Sequence, residues 1–378
     1  MIYFDNAATS KFKPLIMAKE ILKTIYNSSN FSRASHKDAL YLATEIALFR
    51  QDLLSYFNVL NTHEIVFTAS CTDGLNMAIL GYASNFKKPF HIISTAFDHN
   101  SSLRPIEHLR LTKKAYYTII YPDNNLEINI DNIEKSITPN TKLLVLNHMS
   151  NVTGSYLNIS KIKEISKKYS IPVVLDIAQS AGHLNFSLDG IAAASIAPHK
   201  GFHSPQGLGC LIIDKNFNLS PIKFGGSGIN SESLSQPNIM PDGYEVGTIN
   251  APGIIGFKSG FKYTIENLDK IHSKIENLSL RLHHKLQSLK NFEIFSYKNS
   301  PIISIKHKYF PSSKVSEFLD SKDIATRSGL HCAPIIHSYL GTIKQGLTRI
   351  SIGYNNSEND IDYLMDMLTF LDNLKQWF

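Results

Sequence analysis

Cysteine is scarce in this chain: its 378 residues include three, Cys71, Cys210 and Cys332. The number is odd and none stands in CxxC spacing. That excludes a disulfide framework and a zinc knuckle, and it fits a reducing compartment. Charge of one sign is nowhere concentrated. The net charge of +6 is spread along the length, without the basic block or helical stripe that tracks a phosphate backbone, so no nucleic-acid partner is expected. No apolar run approaches the roughly 20 residues that cross a bilayer, and "MIYFDNAATS" lacks the basic-then-apolar pattern of a signal peptide. The expectations are no membrane partner and a cytoplasmic location. Internal repeats and low-complexity segments are also missing.

What is present reads as a globular protein, 43% hydrophobic and 19% charged. The length exceeds what one core usually fills, so two domains are expected. Residues 16–254 form the larger, and residues 1–15 with 255–378 the smaller, including a long linking helix. From residue 64 to about 213, short apolar runs alternate with amphipathic segments, as in an α/β layered domain with a parallel sheet. The strand candidates are "EIVFT", "HIIST", "YTIIY", "KLLVLN", "PVVLDI" and "GLGCLII". Several are apolar throughout, as strands covered on both faces are. The Gly-, Ser- and Pro-rich stretch 220–252 is too long for a simple connector and is expected to form ordered site loops. One helical pattern follows Pro252 through "IIGFKSGFKYTIENLDKIHSKIENLSLRLHHKLQSL", and the remainder reads as a small α+β unit.

Ligands of open α/β sheets bind beyond the carboxyl ends of the strands, so the residues that follow each strand matter most. After "EIVFT" the turn "ASCTDGLN" opens a helix whose free amides suit a phosphate, with Thr72 adding a hydroxyl; an ordinary N-cap reads the same way. "AFDHNSS" places His99 at the next strand end. "HMSNVTG" places Asn151 before a glycine turn, where asparagine is often only a turn former. "DIAQSAGH" ends an apolar strand on Asp176, and a carboxylate there needs a cationic partner. "SIAPHKGFH" encloses Lys200 between strands, where a desolvated amine loses basicity, as Schiff-base chemistry requires. Asp176 and Lys200 together suggest a pyridinium partner and an aldehyde-binding lysine, the pair that pyridoxal phosphate (PLP) uses.

The loop "RSGLHCAP" sets Cys332 among Arg327, Gly329 and His331. The cationic neighbours favour thiolate if they face it, and glycine lets the loop approach a ligand closely. Local context leaves Cys332 open between reagent and filler. Cys210, inside "GLGCLII", reads as a buried small hydrophobe, and Cys71 as a bystander thiol in the phosphate turn.

In order along the chain, "YFDNAATS", "HNSSLRP", "SNVTG", "DIAQSAGH", "HK", "EVGTIN", "RSGLHCAP" and "RISIGYNN" resemble motifs of the class V aminotransferases among fold-type I PLP enzymes. Within that family they resemble the cysteine desulfurases and selenocysteine lyases, and the short cysteine loop is similar to that of group II desulfurases. The resemblance implies a large domain with a mostly parallel seven-stranded sheet flanked by helices, plus a small C-terminal α+β domain. It implies that Lys200 carries pyridoxal 5'-phosphate covalently, that Asp176 pairs with the ring nitrogen and that Gln179 bonds the phenolate oxygen. His99 would stack on the ring, and because imidazole titrates near neutral pH it is the candidate for proton transfers around the substrate thiol. The backbone at Cys71, Thr72 and His199 would hold the phosphate, joined by Ser227 of a second copy, which makes a homodimer with shared sites. Asn151 would lie near the phenolate and substrate, and Arg349 would clamp the substrate carboxylate.

The implied activity is conversion of L-cysteine to L-alanine, with sulfur left as a persulfide on Cys332 for an acceptor protein, in iron–sulfur cluster assembly or another sulfur pathway. Alternatives are a selenocysteine lyase acting on L-selenocysteine, another class V aminotransferase or lyase, and a scaffold with weakened cofactor binding. Two local departures stand out. Ala197 and Pro198 precede His199 where the family has Ser-Gly, which leaves Ser195 as the candidate replacement hydroxyl, and Asn356 stands where threonine is common.

Overall fold

The computed structural model describes residues 1–27, 29–30 and 36–374. Its first elements are β1 (Ile2–Tyr3), α1 (Leu15–Tyr26), α2 (Lys37–Tyr56), β2 (His63–Thr68) and α3 (Cys71–Ala83). Next come β3 (Phe90–Thr95), α4 (Asn100–Leu111), β4 (Ala115–Ile120), α5 (Ile130–Lys135), β5 (Thr141–Asn147), α6 (Ile159–Tyr169) and β6 (Val173–Asp176). They are followed by β7 (Ala193–Ile196), β8 (Gly209–Asp214), α7 (Ala251–Glu266) and α8 (Leu268–Leu286). The chain ends through β9 (Phe292–Phe295), β10 (Ile302–His307), α9 (Ser312–Asp320), β11 (Ile324–Ala325), β12 (Arg327–Gly329), α10 (Pro334–Tyr339), β13 (Leu347–Ser351) and α11 (Glu358–Asp372).

Seven strands make one sheet in the order β2-β8-β7-β6-β5-β3-β4. Only β8 opposes its neighbours; the other pairs are parallel. Alternate residues of these strands feed two cores. Ile65, Phe67, Leu144, Leu146, Val173 and Leu175 fill one face, while Val66, Leu143, Val145 and Val174 fill the other. This double cover is why the strands read as unbroken apolar runs.

The structure adds a strand that the apolar pattern did not flag. β7 is "AASI", short and built of small residues, because α3 crosses close above it: a Cβ on Gly74 of α3 would lie 2.5 Å from the Ser195 hydroxyl. The long helix expected after Pro252 is two. Asn267 leaves helical geometry (φ −119°, ψ 16°), and its side-chain amide donates to the Tyr263 carbonyl, ending α7 before α8 begins. Side-chain competition of this kind is why asparagine breaks helices.

The remaining strands form a four-stranded antiparallel sheet, β12-β13-β10-β9. It packs with α8, α9 and α11 in a third core that also takes Phe4, while β1 pairs in parallel with β11. The N-terminal segment therefore folds with the C-terminal elements. Among the described residues, no helix is long and apolar enough to cross a membrane.

Stretch 220–252 is tied to the sheet through Glu245. Its carboxylate accepts from Arg50 Nη2 at 2.8 Å and from the Phe67 amide at 2.6 Å, with the pair largely out of solvent. Removing one partner of such a pair strands the other charge. Glu245→Ala is expected to destabilise the fold by about 3 kcal/mol, read from denaturant midpoints; a loss under about 1 kcal/mol would mean that the loop is anchored elsewhere.

Candidate active site

The turn between β2 and α3 keeps two amides open. The Ser70 side chain caps α3 by accepting from the Asp73 amide, and the Ser70 carbonyl takes the Gly74 amide. The amides of Cys71 and Thr72 have no protein acceptor among the described residues. They face outward at the positive end of a 13-residue helix. Gly209 packs against this turn so tightly that a Cβ would sit 2.1 Å from the Ser70 carbonyl carbon.

Asp176 ends β6 with 3% of its surface exposed. Its Oδ1 accepts from the Ala178 amide at 2.9 Å and lies 3.8 Å from Cys71 Sγ; Oδ2 makes no hydrogen bond among the described residues. Lys200 follows β7 and meets its surroundings through charge and burial, its amine making no hydrogen bond among the described residues. Burial pushes its pKa down against the pull of Asp176, with Cys71, Arg349 and Arg327 the other charged neighbours. A lysine so placed has more free amine near neutral pH than an exposed one.

The N-terminal segment grips the residue before this lysine. The His199 carbonyl accepts from the Ser10 amide and hydroxyl, the Thr9 hydroxyl and Lys13 Nζ, at 2.9 to 3.2 Å. His199 Nδ1 is buried without a partner among the described residues, and burial holds this imidazole near pKa 4, hence neutral.

His99 is the N-cap of α4, and the Asp98 carboxyl behind it folds back on β3, accepting from the Thr95 amide and hydroxyl. Burial raises that carboxyl to about 7. The same loop holds the cysteine: the Asn100 amide donates to the Cys332 carbonyl at 2.7 Å, and Asn151 Nδ2 donates to the His331 carbonyl at 2.7 Å. His331 and Cys332 both take the left-handed conformation (φ 49° and 56°), which costs on the order of 1–2 kcal/mol per residue. Two hydrogen bonds to strand-end loops of the large sheet hold that conformation. Cys332 is exposed, while Cys71 and Cys210 are buried with their thiols raised by burial.

Arg349, on β13, is 2% exposed. Nη1 donates to the Asn151 carbonyl at 3.1 Å, Nη2 to Asp5 Oδ1 at 2.9 Å, and Nε is buried without an acceptor among the described residues. Asp5 also binds Arg327. Its carboxylate thus orients two arginines beside an open guanidinium edge.

The structure brings Lys200, Asp176, His99, Cys71 and Arg349 within one electrostatic neighbourhood, with Asn151 and Cys332 joined to it by the bonds above and Thr72 by its hydroxyl, 2.9 Å from that of Ser101. Gln179 is buried close by, its Nε2 donating to the Ala7 carbonyl. Three expectations change. Ser195 does not replace the missing hydroxyl, because it is buried on β7 and donates to the Cys71 carbonyl at 3.0 Å, bracing the turn from behind. His331 is not a cation beside Cys332: burial lowers it to about 3, and its Nε2 bonds the Arg327 carbonyl. Arg327 is committed to Asp5. Ser227 lines a separate cavity of about 1030 Å³ with Arg50 and Glu245, so within one chain it stays apart from Lys200. Asn356, the other departure, donates to the Tyr3 carbonyl and accepts from the Gly353 amide, tying the N-terminal segment to the turn after β13.

The polar residues reading missed are Asp5, Ser10, Lys13 and Asp98. Asp5, Ser10 and Asp98 stand in "YFDNAATS" and "FDHN" and Lys13 just beyond the first, but a polar side chain on a loop has no periodicity to mark it.

The Aminotransferase class-V family model matches residues 2–364. The chain belongs to this family. Among class-V relatives, the probable cysteine desulfurase of Borreliella burgdorferi is 32% identical, the alignment covering 96% of this chain and 89% of that protein. The cysteine desulfurase of Wigglesworthia glossinidia brevipalpis is 28% identical, with 97% and 92% covered. The apo structure of cysteine desulfurase from Thermococcus onnurineus NA1 superposes with a TM-score of 0.89 at 26% identity, over 98% of this chain and 94% of that one. The α/β fold read from the strand pattern is thus that of these class-V enzymes.

Proposed function

We propose that this chain is a PLP-dependent cysteine desulfurase that converts L-cysteine to L-alanine and leaves the sulfur on Cys332. The observation that carries the reading is Cys332 itself: an exposed thiol on a loop fastened to Asn100 and Asn151, the residues that flank His99 and contact Arg349. The donor set fits the cofactor. Asp176, a buried residue whose Oδ2 makes no hydrogen bond among the described residues, suits a protonated pyridine nitrogen; the amides of Cys71 and Thr72 suit the phosphate, with Thr72, His199 and Ser227 of a second copy; Lys200 would hold the aldehyde carbon, and Gln179 and Asn151 the phenolate side. When bound, PLP supplies an electron sink for a carbanion at the substrate Cα.

The chain's own residues do the rest. Arg349 fixes the substrate carboxylate through Nε and an Nη, a fork that suits its planar guanidinium. Lys200 Nζ takes the Cα proton, helped by the burial that lowers its basicity. Cys332 Sγ, as thiolate, attacks the substrate sulfur: an S–S bond forms, the Cβ–S bond breaks with its electron pair passing to the carbon, Cβ takes up a proton, and Lys200 returns the proton it took to Cα, which completes alanine. A homodimer, a cytoplasmic location and the domain division 16–254 against 1–15 with 255–378 belong to the same reading, supported by the free cysteines and the third core that includes Phe4. A sulfur-acceptor protein is its natural partner.

Incubation with L-cysteine alone, followed by peptide mass measurement, is expected to find one added sulfur on the Cys332 peptide and stoichiometric alanine. An unmodified peptide with continuing turnover would refute the sulfur transfer. Arg349→Lys, which keeps the charge but loses the fork, is expected to raise KM for L-cysteine about 30-fold, or about 2 kcal/mol, in steady-state alanine assays. An unchanged KM would move the carboxylate elsewhere.

A further inference from the structure

We infer that His99 works as a neutral hydrogen-bond donor through Nε2, fixed in that tautomer by the Ser101 backbone, and is not the group that carries protons in the reaction. The inference rests on the desulfurase reading for its place in catalysis, and on hydrogen-bond geometry for the tautomer.

As N-cap of α4, His99 uses Nδ1 to accept the Ser101 amide at 3.0 Å. A backbone amide can only donate. Nδ1 therefore presents its lone pair and the proton of the neutral ring sits on Nε2. The Ser101 hydroxyl, 2.7 Å from the same nitrogen, is then free to donate to it as well, and its oxygen lies 2.9 Å from Thr72 Oγ1. The ring is thereby joined to the turn proposed to hold the phosphate.

To take up a proton, His99 would have to gain Nδ1–H, which sets a donor against a donor across 3.0 Å. It would also place a cation at the positive end of a 12-residue helix, an arrangement that keeps imidazoles neutral. The charged groups around the ring agree. Burial lowers its pKa most; Asp176 of β6 opposes this, while Lys200, Arg349 of β13 and Arg104 of α4 add to it. The adjacent Asp98 turns away to Thr95. Nε2 has no acceptor among the described residues, so its N–H is free for a ligand in the site. Proton movement at Cα and Cβ then falls to Lys200.

The decisive measurement is a long-range ¹H–¹⁵N spectrum of histidine-labelled holoenzyme from pH 6 to 9, with His99 assigned by its loss in His99→Gln. The Nε2–H pattern is expected throughout. An imidazolium titrating in that window, or an Nδ1–H pattern, overturns the inference, and either result is readable whether or not the protein desulfurates cysteine. Kinetics supply the second arm. His99→Gln, which keeps an N–H donor, is expected to lower kcat about tenfold with the pH profile unmoved, whereas His99→Phe lowers it about a hundredfold. Equal loss in both variants, with one limb of the pH profile gone, would make His99 a proton carrier, since removing a general acid or base typically costs about 10²–10⁴ in rate.

Discussion

Lys200→Ala is expected to purify without the visible absorbance of a lysine-bound pyridoxal ring, and to turn over L-cysteine at least about 10³-fold more slowly than wild type. On the proposed reading two functions disappear with the amine: the anchor for the cofactor aldehyde and the base for the Cα proton. The fold should scarcely notice. The Lys200 amine makes no hydrogen bond among the described residues, and burial works against its charge, so truncation leaves no donor or acceptor unpaired. The melting temperature of the cofactor-free variant should match that of cofactor-free wild type, a shift corresponding to less than about 1 kcal/mol. A yellow protein with normal turnover would remove Lys200 from the site; a colourless one that has also unfolded would mean that the lysine is structural.

The fold was largely legible because its sheet is covered twice. Strands such as "KLLVLN" and "PVVLDI" have apolar residues on both faces, feeding two cores at once, and such runs are hard to mistake. β7 escaped because its side chains are sized by α3 rather than by strand propensity: Gly74 and Ser195 meet where any larger residue would force the helix off. The break at Asn267 escaped because an asparagine in a 36-residue amphipathic pattern leaves the periodicity intact, and Asn277 in the same pattern stays helical.

The site followed a similar division. Lys200, Asp176 and His99 stand at strand ends, where topology alone makes them neighbours. What the sequence could not display is how the N-terminal segment is threaded. Asp5 orients Arg349 and Arg327, and Ser10 and Lys13 grip the His199 carbonyl; these contacts span more than 180 residues and depend on β1 joining β11. The same threading accounts for Asn356, whose side chain is used on Tyr3 and Gly353 rather than on a ligand.

Cys332→Ala is expected to keep the lysine-bound cofactor and its response to added L-cysteine, but to lose the sulfur adduct and to lower sulfide or persulfide production at least about 10²-fold, close to 3 kcal/mol of barrier. The substitution is a clean test of the thiol. Position 332 has φ 56°, and alanine bears the same left-handed penalty as cysteine, so the loop geometry and its bonds to Asn100 and Asn151 should persist. Cys332→Gly is the companion: it removes the thiol and also that strain, so it should be more stable than the alanine variant by about 1 kcal/mol while being equally inactive. Neither remaining cysteine can substitute, because Cys71 and Cys210 are buried and their thiols are held protonated. If the alanine variant releases alanine and sulfide from L-cysteine at the wild-type rate, sulfur leaves without this thiol, and the pinned loop must then serve only to close the site. If turnover is lost in the alanine variant but restored in the glycine one, loop conformation rather than sulfur chemistry is what position 332 supplies.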